Sequence, residues 1–384
     1  MNPVSTHRFF FVSVIWYSVD FTFGHGDVSC KNARGLDVDW FIVYKPPKTI
    51  RQKNCGTLTG EEMMYYDSND AKAGSHLWTI LHDSIYSKRL NPIEETLGPV
   101  YRPTADIAYV AYNDQPPKAL SQRRAGHSKG VLIASADRRR KGVVWLQHSV
   151  PRFIMDARFD YQYPQSGRSN GQIFLCLSLT LDTVETIAHH LTIQEANVYM
   201  SRPSAWAQRY PILWVLLTKR YHYPTRELKV DHFRTRGLQA VLSIAKSPTW
   251  TRDIYVQDMR HEIGDNITVQ SWRNGAGGAQ EAYCTREYSV TDVLATEIKS
   301  SRRHECFQPS LDHSKWFVPH HRNIFCISSL NRMAKKNERE LLHPVLAVEF
   351  RCQCGFELPV EALNHSVAGG VVGGCMLQLR AEER

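Results

Sequence analysis

The sequence predicts an α/β fold built as two halves, each a mixed sheet flanked by helices. Three observations predict it. Apolar runs bounded by proline and glycine recur along the chain, with helix-spaced stretches between them. The second half repeats the plan of the first loosely, with little identity. Each half also spells His-Ser-Lys just before a strand, GHSKG at 126–130 and DHSKW at 312–316. In layered α/β folds ligands gather at strand ends, so each motif stands where a ligand could bind.

The elements follow in order. DVDWFIVYKPP (37–47) reads as a strand leaving into a proline turn, and SHLWTILHDSIYSKRL (75–90) has near-helical apolar spacing. TADIAYVAYNDQPP (104–117) is a strand closed by a second proline turn. VLIASA and VVWLQHSV form adjacent strands around a charged turn, with His148 near the end of the second. GQIFLCLSL (171–179) adds a strand, and TLDTVETIAHHLT a helix. In the second half, RELKVDHFRTRGLQAVLSIAKS (226–247) ends in strand-like sequence, and NITVQSWRN (266–274) alternates. DHSKWFV then precedes NIFCISSLNR, so that Asn331 follows its motif about as His148 follows the first. The organisation expected is a leader over 1–24, a first half over 25–190, a second over 191–340 and a divergent tail over 341–384.

A bare His-x-Lys pair is weak. Of 17 histidines only His127 and His313 have lysine two places on, and roughly one such hit is expected from ordinary composition. The chemistry gives the pair its force. Residues two apart on a strand share a face, so His127 projects with Lys129 and His313 with Lys315. A cation beside an imidazole makes a poor metal site and a good anion site. Phosphodiester cleavage without metal needs a nucleophile, a proton donor for the leaving oxygen and positive charge on the non-bridging oxygens. Two histidines and two lysines supply all three, and a histidine acid that must start protonated favours acidic pH. The bland readings are a satisfied histidine in each strand and, for Arg138-Arg139-Arg140-Lys141, a solvated turn.

The 384 residues carry a net charge of +9, which suits a polyanionic partner such as DNA. Arg8 followed by the apolar run Phe9–Tyr17 has the form of a secretory signal, with Thr22 and Gly24 at the cleavage positions. That run is too short to span a bilayer, and no later stretch is long enough. Nine cysteines and two sequons, at Asn266 and Asn364, agree with a secreted or lysosomal protein. Cys352-Gln-Cys354 lacks zinc-ligand spacing, and neither cofactor nor metal is expected.

DVDWFIVYKPP, YNDQPP, GHSKGVL, WLQHSVPRF, YQYPQSG, NGQIFLCLS and DHSKWFV, in this order over roughly 30–340, resemble the deoxyribonuclease II family, including its plancitoxin-like invertebrate members. The resemblance implies a phospholipase D-like fold, in which two halves pair as a pseudo-dimer and each brings one His-Lys motif to a common cleft. It implies a metal-independent acid endonuclease that cuts double-stranded DNA to 3′-phosphate and 5′-hydroxyl ends through a phosphohistidine. By motif match the catalytic set is His127, Lys129 and His148 from the first half with His313, Lys315 and Asn331 from the second. His127 is expected as the nucleophile and His313 as the acid. The resemblance also pairs Cys30 with Cys176.

The chain departs from the family in two places. The usual Gly-Asp-Met/Leu-Asn-Arg string is Ser328-Ser329-Leu330-Asn331-Arg332 here, and from about 341 no counterpart is recognisable. Two alternatives therefore stand beside the nuclease. One is a secreted homologue that binds DNA or a host partner without cutting. The other is a lipid phosphodiesterase, disfavoured because the position of the superfamily motif's aspartate is Ser135, with Asp137 nearby, in the first half and His320-His321 in the second.

Overall fold

The computed structural model describes residues 28–49, 56–75, 77–117, 126–219, 227–247, 250, 253–274, 280–299, 304–332, 344–349, 368–372 and 375–381. The expected leader over 1–24 and the sequon at Asn364 lie outside them. Among the described residues the chain forms two large, mainly antiparallel sheets with few helices.

The first sheet comes from the first half of the chain. A small ribbon of β1 (Cys30–Lys31) and β2 (Asp37–Val38) leads into β3 (Trp40–Lys45), β4 (Met64–Asp67) and β5 (Thr79–Ile80). Then follow β6 (Ile107–Asn113), β7 (Lys129–Ser135), β8 (Gly142–His148), β9 (Gln172–Leu179) and β10 (Val198–Arg202). Their spatial order is β10-β6-β7-β8-β9-β3-β4-β5. β3, β6, β7, β8 and β9 are buried along their whole lengths, so both faces of the sheet are covered. That explains their near-continuous Val, Ile, Leu and aromatic sequence.

The stretch 75–90, expected to be helical, holds only β5 and irregular chain; its helix begins one step later as α2 (Pro92–Tyr101). The boundary is chemical. Asn91 caps α2 by accepting from Ile93 N and Glu94 N, and Pro92 occupies the first turn, where its missing N–H costs nothing. α1 (Ser68–Lys72) is a short capped turn after β4. The expected helix after β9 is present as α3 (Val184–Ile193), and α4 (Pro211–Leu217) packs on it.

The second sheet contains β11 (Leu228–Arg234), β12 (Ala240–Lys246), β13 (Ile267–Gln270), β14 (Tyr283–Cys284), β15 (Ser289–Lys299) and β16 (His304–Phe307). It continues through β17 (Trp316–Pro319), β18 (Ile324–Ser328), β19 (Pro344–Glu349), β20 (Ala368–Val372) and β21 (Cys375–Ala381), with α5 (Arg260–Ile263) outside it. The order is β11-β12-β19-β18-β17-β13-β15-β21-β20, with β14 and β16 added on β15. The expected mixed sheet is found here alone, in the parallel pair β13–β15. The tail enters the sheet: β19 lies between β12 and β18.

The two sheets share a pattern around their motifs. Lys129 opens β7, the middle of the antiparallel run β6-β7-β8, and Lys315 directly precedes β17, the middle of β13-β17-β18. Asn113 at the end of β6 pairs with Lys129, and Gln270 at the end of β13 pairs with Trp316.

Specific polar contacts join the two units. Asp39 accepts from Thr235 Oγ1 at 2.5 Å and from Gly237 N at 2.6 Å, and Arg236 N donates to Ser178 O at 2.8 Å. Buried His190 on α3 bonds Asp231 at 2.6 Å and Ser243 at 2.9 Å. A disulfide joins Cys30 to Cys176, tying the start of the first unit to β9. Among the described residues no helix is long and apolar enough to cross a membrane.

Candidate active site

The site is built where the ends of β6, β7 and β8 meet the segment that enters β17. His127 sits just before β7, so the strand's own geometry does not place it. An isolated bridge between Gly126 and Ala196 holds the approach, and Gly126 N donates to Glu195 O at 2.9 Å. Lys129, first in β7, is 5% exposed, and its ammonium pairs with the Asp114 carboxylate. Asp114 follows β6 and also lies 3.8 Å from His127 Nε2. His148 closes β8 across from Phe174 and packs edge-on against the Phe153 ring at 5.2 Å.

The second motif is held by the first unit. His313 N donates to Gly171 O at 2.9 Å, Gly171 N donates to Leu311 O at 2.7 Å, and Gly171 and Asp312 form a parallel bridge. Gly171 has to be glycine, because an added Cβ would meet Asp312 Oδ1 at 2.4 Å. Fully buried Asp312 accepts from the Tyr44 hydroxyl of β3 and from Ser314 Oγ at 2.7 Å. Lys45, also fully buried, donates to the carbonyls of Gly167 at 2.6 Å and Arg168 at 3.1 Å, which steadies the loop leading to Gly171. The His313 ring stands 4.9 Å from that of Trp272, edge to face, and Lys315 Nζ donates to His313 O at 2.6 Å.

Two hydrogen bonds fix tautomers. His127 Nδ1 lies 2.9 Å from the carbonyl oxygen of Ser329, which can only accept. The proton is therefore on Nδ1, and Nε2 carries the lone pair of the neutral ring. His148 Nδ1 accepts from Val150 N at 3.2 Å, which puts the proton on Nε2, a buried donor with no partner among the described residues. Asn331 Oδ1 is another buried group without a partner among them.

The electrostatics show that the two motifs converge. Burial pushes His127 well below the ordinary imidazole range, and the charges of Lys129 and Lys315 push it further. His313 is pushed down to about 3 by burial, then Lys315, Lys129 and Lys45. His148 is also pushed down to about 3, by burial and then Lys129. Each half's lysine thus acts on the other half's histidine, and the site holds concentrated positive charge around imidazoles whose charged form is disfavoured. Such a site favours an anion with several acceptor oxygens. Among the described residues no three His, Cys, Asp or Glu side chains are placed to hold a metal ion.

The sequence-predicted residues His127, Lys129, His148, His313 and Lys315 are therefore brought together. Asn331 lies in the segment 328–332 that supplies the Ser329 carbonyl. Buried Arg332 fixes that segment, donating to Asp292 Oδ2 at 2.6 Å, Asp253 Oδ2 at 3.4 Å and Glu281 O at 2.8 Å. Asp114 and Lys45 were missed as site residues, although both stand in stretches that the sequence reading singled out; Ser329 acts through its backbone and leaves no residue-type signal. The Asn266 sequon lies at the start of β13, where the side-chain oxygen accepts from Ser289 N at 2.7 Å.

The family model for deoxyribonuclease II matches residues 29–341. The chain is 31% identical over 320 residues to deoxyribonuclease-2-alpha of Mus musculus, covering 81% of this chain and 86% of that one. It is 30% identical over 340 residues to cell-death-related nuclease 7 of Caenorhabditis elegans, covering 86% of each. Plancitoxin-1 of Acanthaster planci is 29% identical over 323 residues, covering 81% of this chain and 85% of that one. With a match that covers the first sheet, reaches through β18 of the second and includes both His-x-Lys segments, the chain belongs to the deoxyribonuclease II family.

Proposed function

We propose that this protein is an acid endonuclease that hydrolyses double-stranded DNA without a metal, leaving 3′-phosphate and 5′-hydroxyl ends. The observation that carries the reading is the convergence of the two motifs, with His127 held by Ser329 of the other unit at 2.9 Å and His313 by Gly171 at 2.9 Å. His127 Nε2, which carries the lone pair, attacks phosphorus. The P–O5′ bond breaks, and the leaving oxygen takes the proton of His313. Water then attacks the phosphohistidine, gives its proton to His313, and releases the 3′-phosphate as the P–N bond breaks. Lys129 and Lys315 hold the non-bridging oxygens through both steps, with the free donor of His148 beside them. Asn331 Oδ1 accepts a hydrogen bond from the attacking water or from a protonated phosphoryl oxygen.

Acid pH follows from the same electrostatics. His313 has to be protonated to act, yet burial and the nearby lysines disfavour its charge. A bound phosphodiester anion offsets the lysines and raises its pKa, so turnover rises as pH falls toward the acid range. The shared pattern β6-β7-β8 and β13-β17-β18 supports a phospholipase D-like pseudo-dimer as the finer description of the fold. The leader, cysteines and sequons support a secreted or lysosomal protein with a cleaved signal over 1–24 and glycans on Asn266 and Asn364.

Plasmid cleavage at about pH 5 in the presence of EDTA tests the reading. Cutting is expected to survive the chelator and to fall at least ~1000-fold in His127→Ala and in His313→Ala. The double variant is expected to be no worse than either, since the groups act as a unit. A folded wild-type protein that binds DNA and does not cut it would replace this reading with a non-catalytic homologue.

A further inference from the structure

Beside His148 the loops at the strand ends enclose a cavity of about 670 Å³ that the reaction above does not use. Its walls include Tyr86, Lys88, Arg152, Met155, Tyr163 and Gln165. It backs directly onto the site. The Phe153 ring lies 5.2 Å from that of His148 and 6.1 Å from that of Tyr163, and Tyr86 stands edge-on to Tyr163 at 5.3 Å. Arg152 N donates to Gln115 O at 2.8 Å, and Gln115 adjoins Asp114, the partner of Lys129.

Arg152 is the unusual member. It is not glycine, yet its φ of 62° is left-handed, a conformation that L residues keep only where surrounding structure enforces it, often at a functional site. Its side chain is exposed at the wall of the cavity. Lys88 pairs with Asp160 at 3.1 Å, but those side chains are 55% and 66% exposed, so water screens the pair and the ammonium can be shared with another anion. Two cations, an aromatic wall and the amide of Gln165 are together what a single nucleotide requires: phosphate neutralisation, a stacking face and an edge to hydrogen-bond. An apolar ligand would leave the cations unused, and a small anion would leave the tyrosines unused.

We propose that this cavity is a subsite for one unstacked nucleotide of the DNA strand flanking the scissile phosphate, its base against Tyr86 and its phosphate between Arg152 and Lys88. The proposal rests on the nuclease reading and specifies how the strand enters the site. It implies that substrate is locally unstacked when bound, so nicked or frayed duplex is preferred to continuous duplex.

The test is fluorescence anisotropy with a short fluorescein-labelled single-stranded oligonucleotide, on the full chain in the His127→Ala background so that the probe survives. Tyr86→Ala is expected to weaken binding about tenfold. Arg152→Ala is expected to lower the slope of log K against log salt by about 0.7, the loss of one phosphate contact on a single strand. Lys88→Glu, at an exposed position, is expected to weaken binding at least about tenfold by reversing a contact charge. Unchanged affinity and salt slope in Arg152→Ala and Lys88→Glu, with unchanged melting temperatures, would overturn the subsite. Failure of the nuclease reading shows separately, as wild-type protein that leaves plasmid intact.

Discussion

The Nδ1 atom of His127 is bonded to the carbonyl oxygen of Ser329 at 2.9 Å, across 202 positions of sequence and between the two sheets. This contact explains why the altered Ser328–Arg332 string is compatible with the site. A backbone carbonyl orients the ring, so serine in place of the acid leaves the orienting contact intact. What the string must keep is its path, and Arg332 sets that path.

Replacing Arg332 by methionine should therefore act at a distance. Its guanidinium is buried and bonded to Asp292, Asp253 and the Glu281 carbonyl. Removing one partner of a buried ionic cluster leaves uncompensated charge, a loss of about 3–5 kcal/mol. Urea denaturation of Arg332→Met should show that loss, and DNA cleavage should fall with it although Arg332 touches no substrate.

Phosphate should bind together with protons. Burial and the nearby lysines hold His313 and His148 near 3. Inorganic phosphate offsets the lysines and raises both values, so at about pH 5 its binding takes up protons. Calorimetry in buffers of different ionisation heat should show net proton uptake, and affinity should strengthen as pH falls. Affinity that is independent of pH would contradict this electrostatic account.

The same shifts set a cost in stability. A histidine whose folded pKa lies below its unfolded value of about 6.5 stabilises fully above 6.5, and that contribution is lost as pH falls toward the folded value. For His148 and His313 the window runs from about 6.5 down to about 3. Unfolding free energy of the phosphate-free protein should fall with pH across that range. His148→Asn, which can still accept from Val150 N, should remove about 1.4 kcal/mol per pH unit from the slope.

The disulfide closes a loop of 146 residues between Cys30 and Cys176. Serine at both positions should cost about 2–5 kcal/mol. Wild type should melt above the double variant in oxidising buffer and together with it in reductant, which assigns the difference to this bond.

Much of the first sheet was legible in the sequence because its strands are buried on both faces and read as unbroken apolar runs, as in GQIFLCLSL. The helix at 92–101 was missed because apolar spacing over 75–90 outweighed a better signal, Asn91 followed by Pro92 and two glutamates, and because Pro99 argues against a helix it in fact occupies. The motifs marked the candidate site, since a repeated His-x-Lys is a statement about chemistry. Asp114 escaped because its block reads as a turn, and its pairing with Lys129 depends on strand register. Ser329 contributes only backbone, and its approach to His127 depends on how two sheets dock. β19 could not be foreseen because a strand's place in a sheet is a long-range property.

That last strand also sets the order of assembly on the ribosome. The first sheet has all its strands once Arg202 has emerged, and N-terminal units fold first during synthesis. β12 and β18 cannot be joined until Glu349 follows, because β19 lies between them. His127 thus waits for the Ser329 carbonyl, which is made only after the whole first sheet. A nascent chain with only its first sheet carries one His-x-Lys pair without the other, and assembly of the second sheet is the step that unites them.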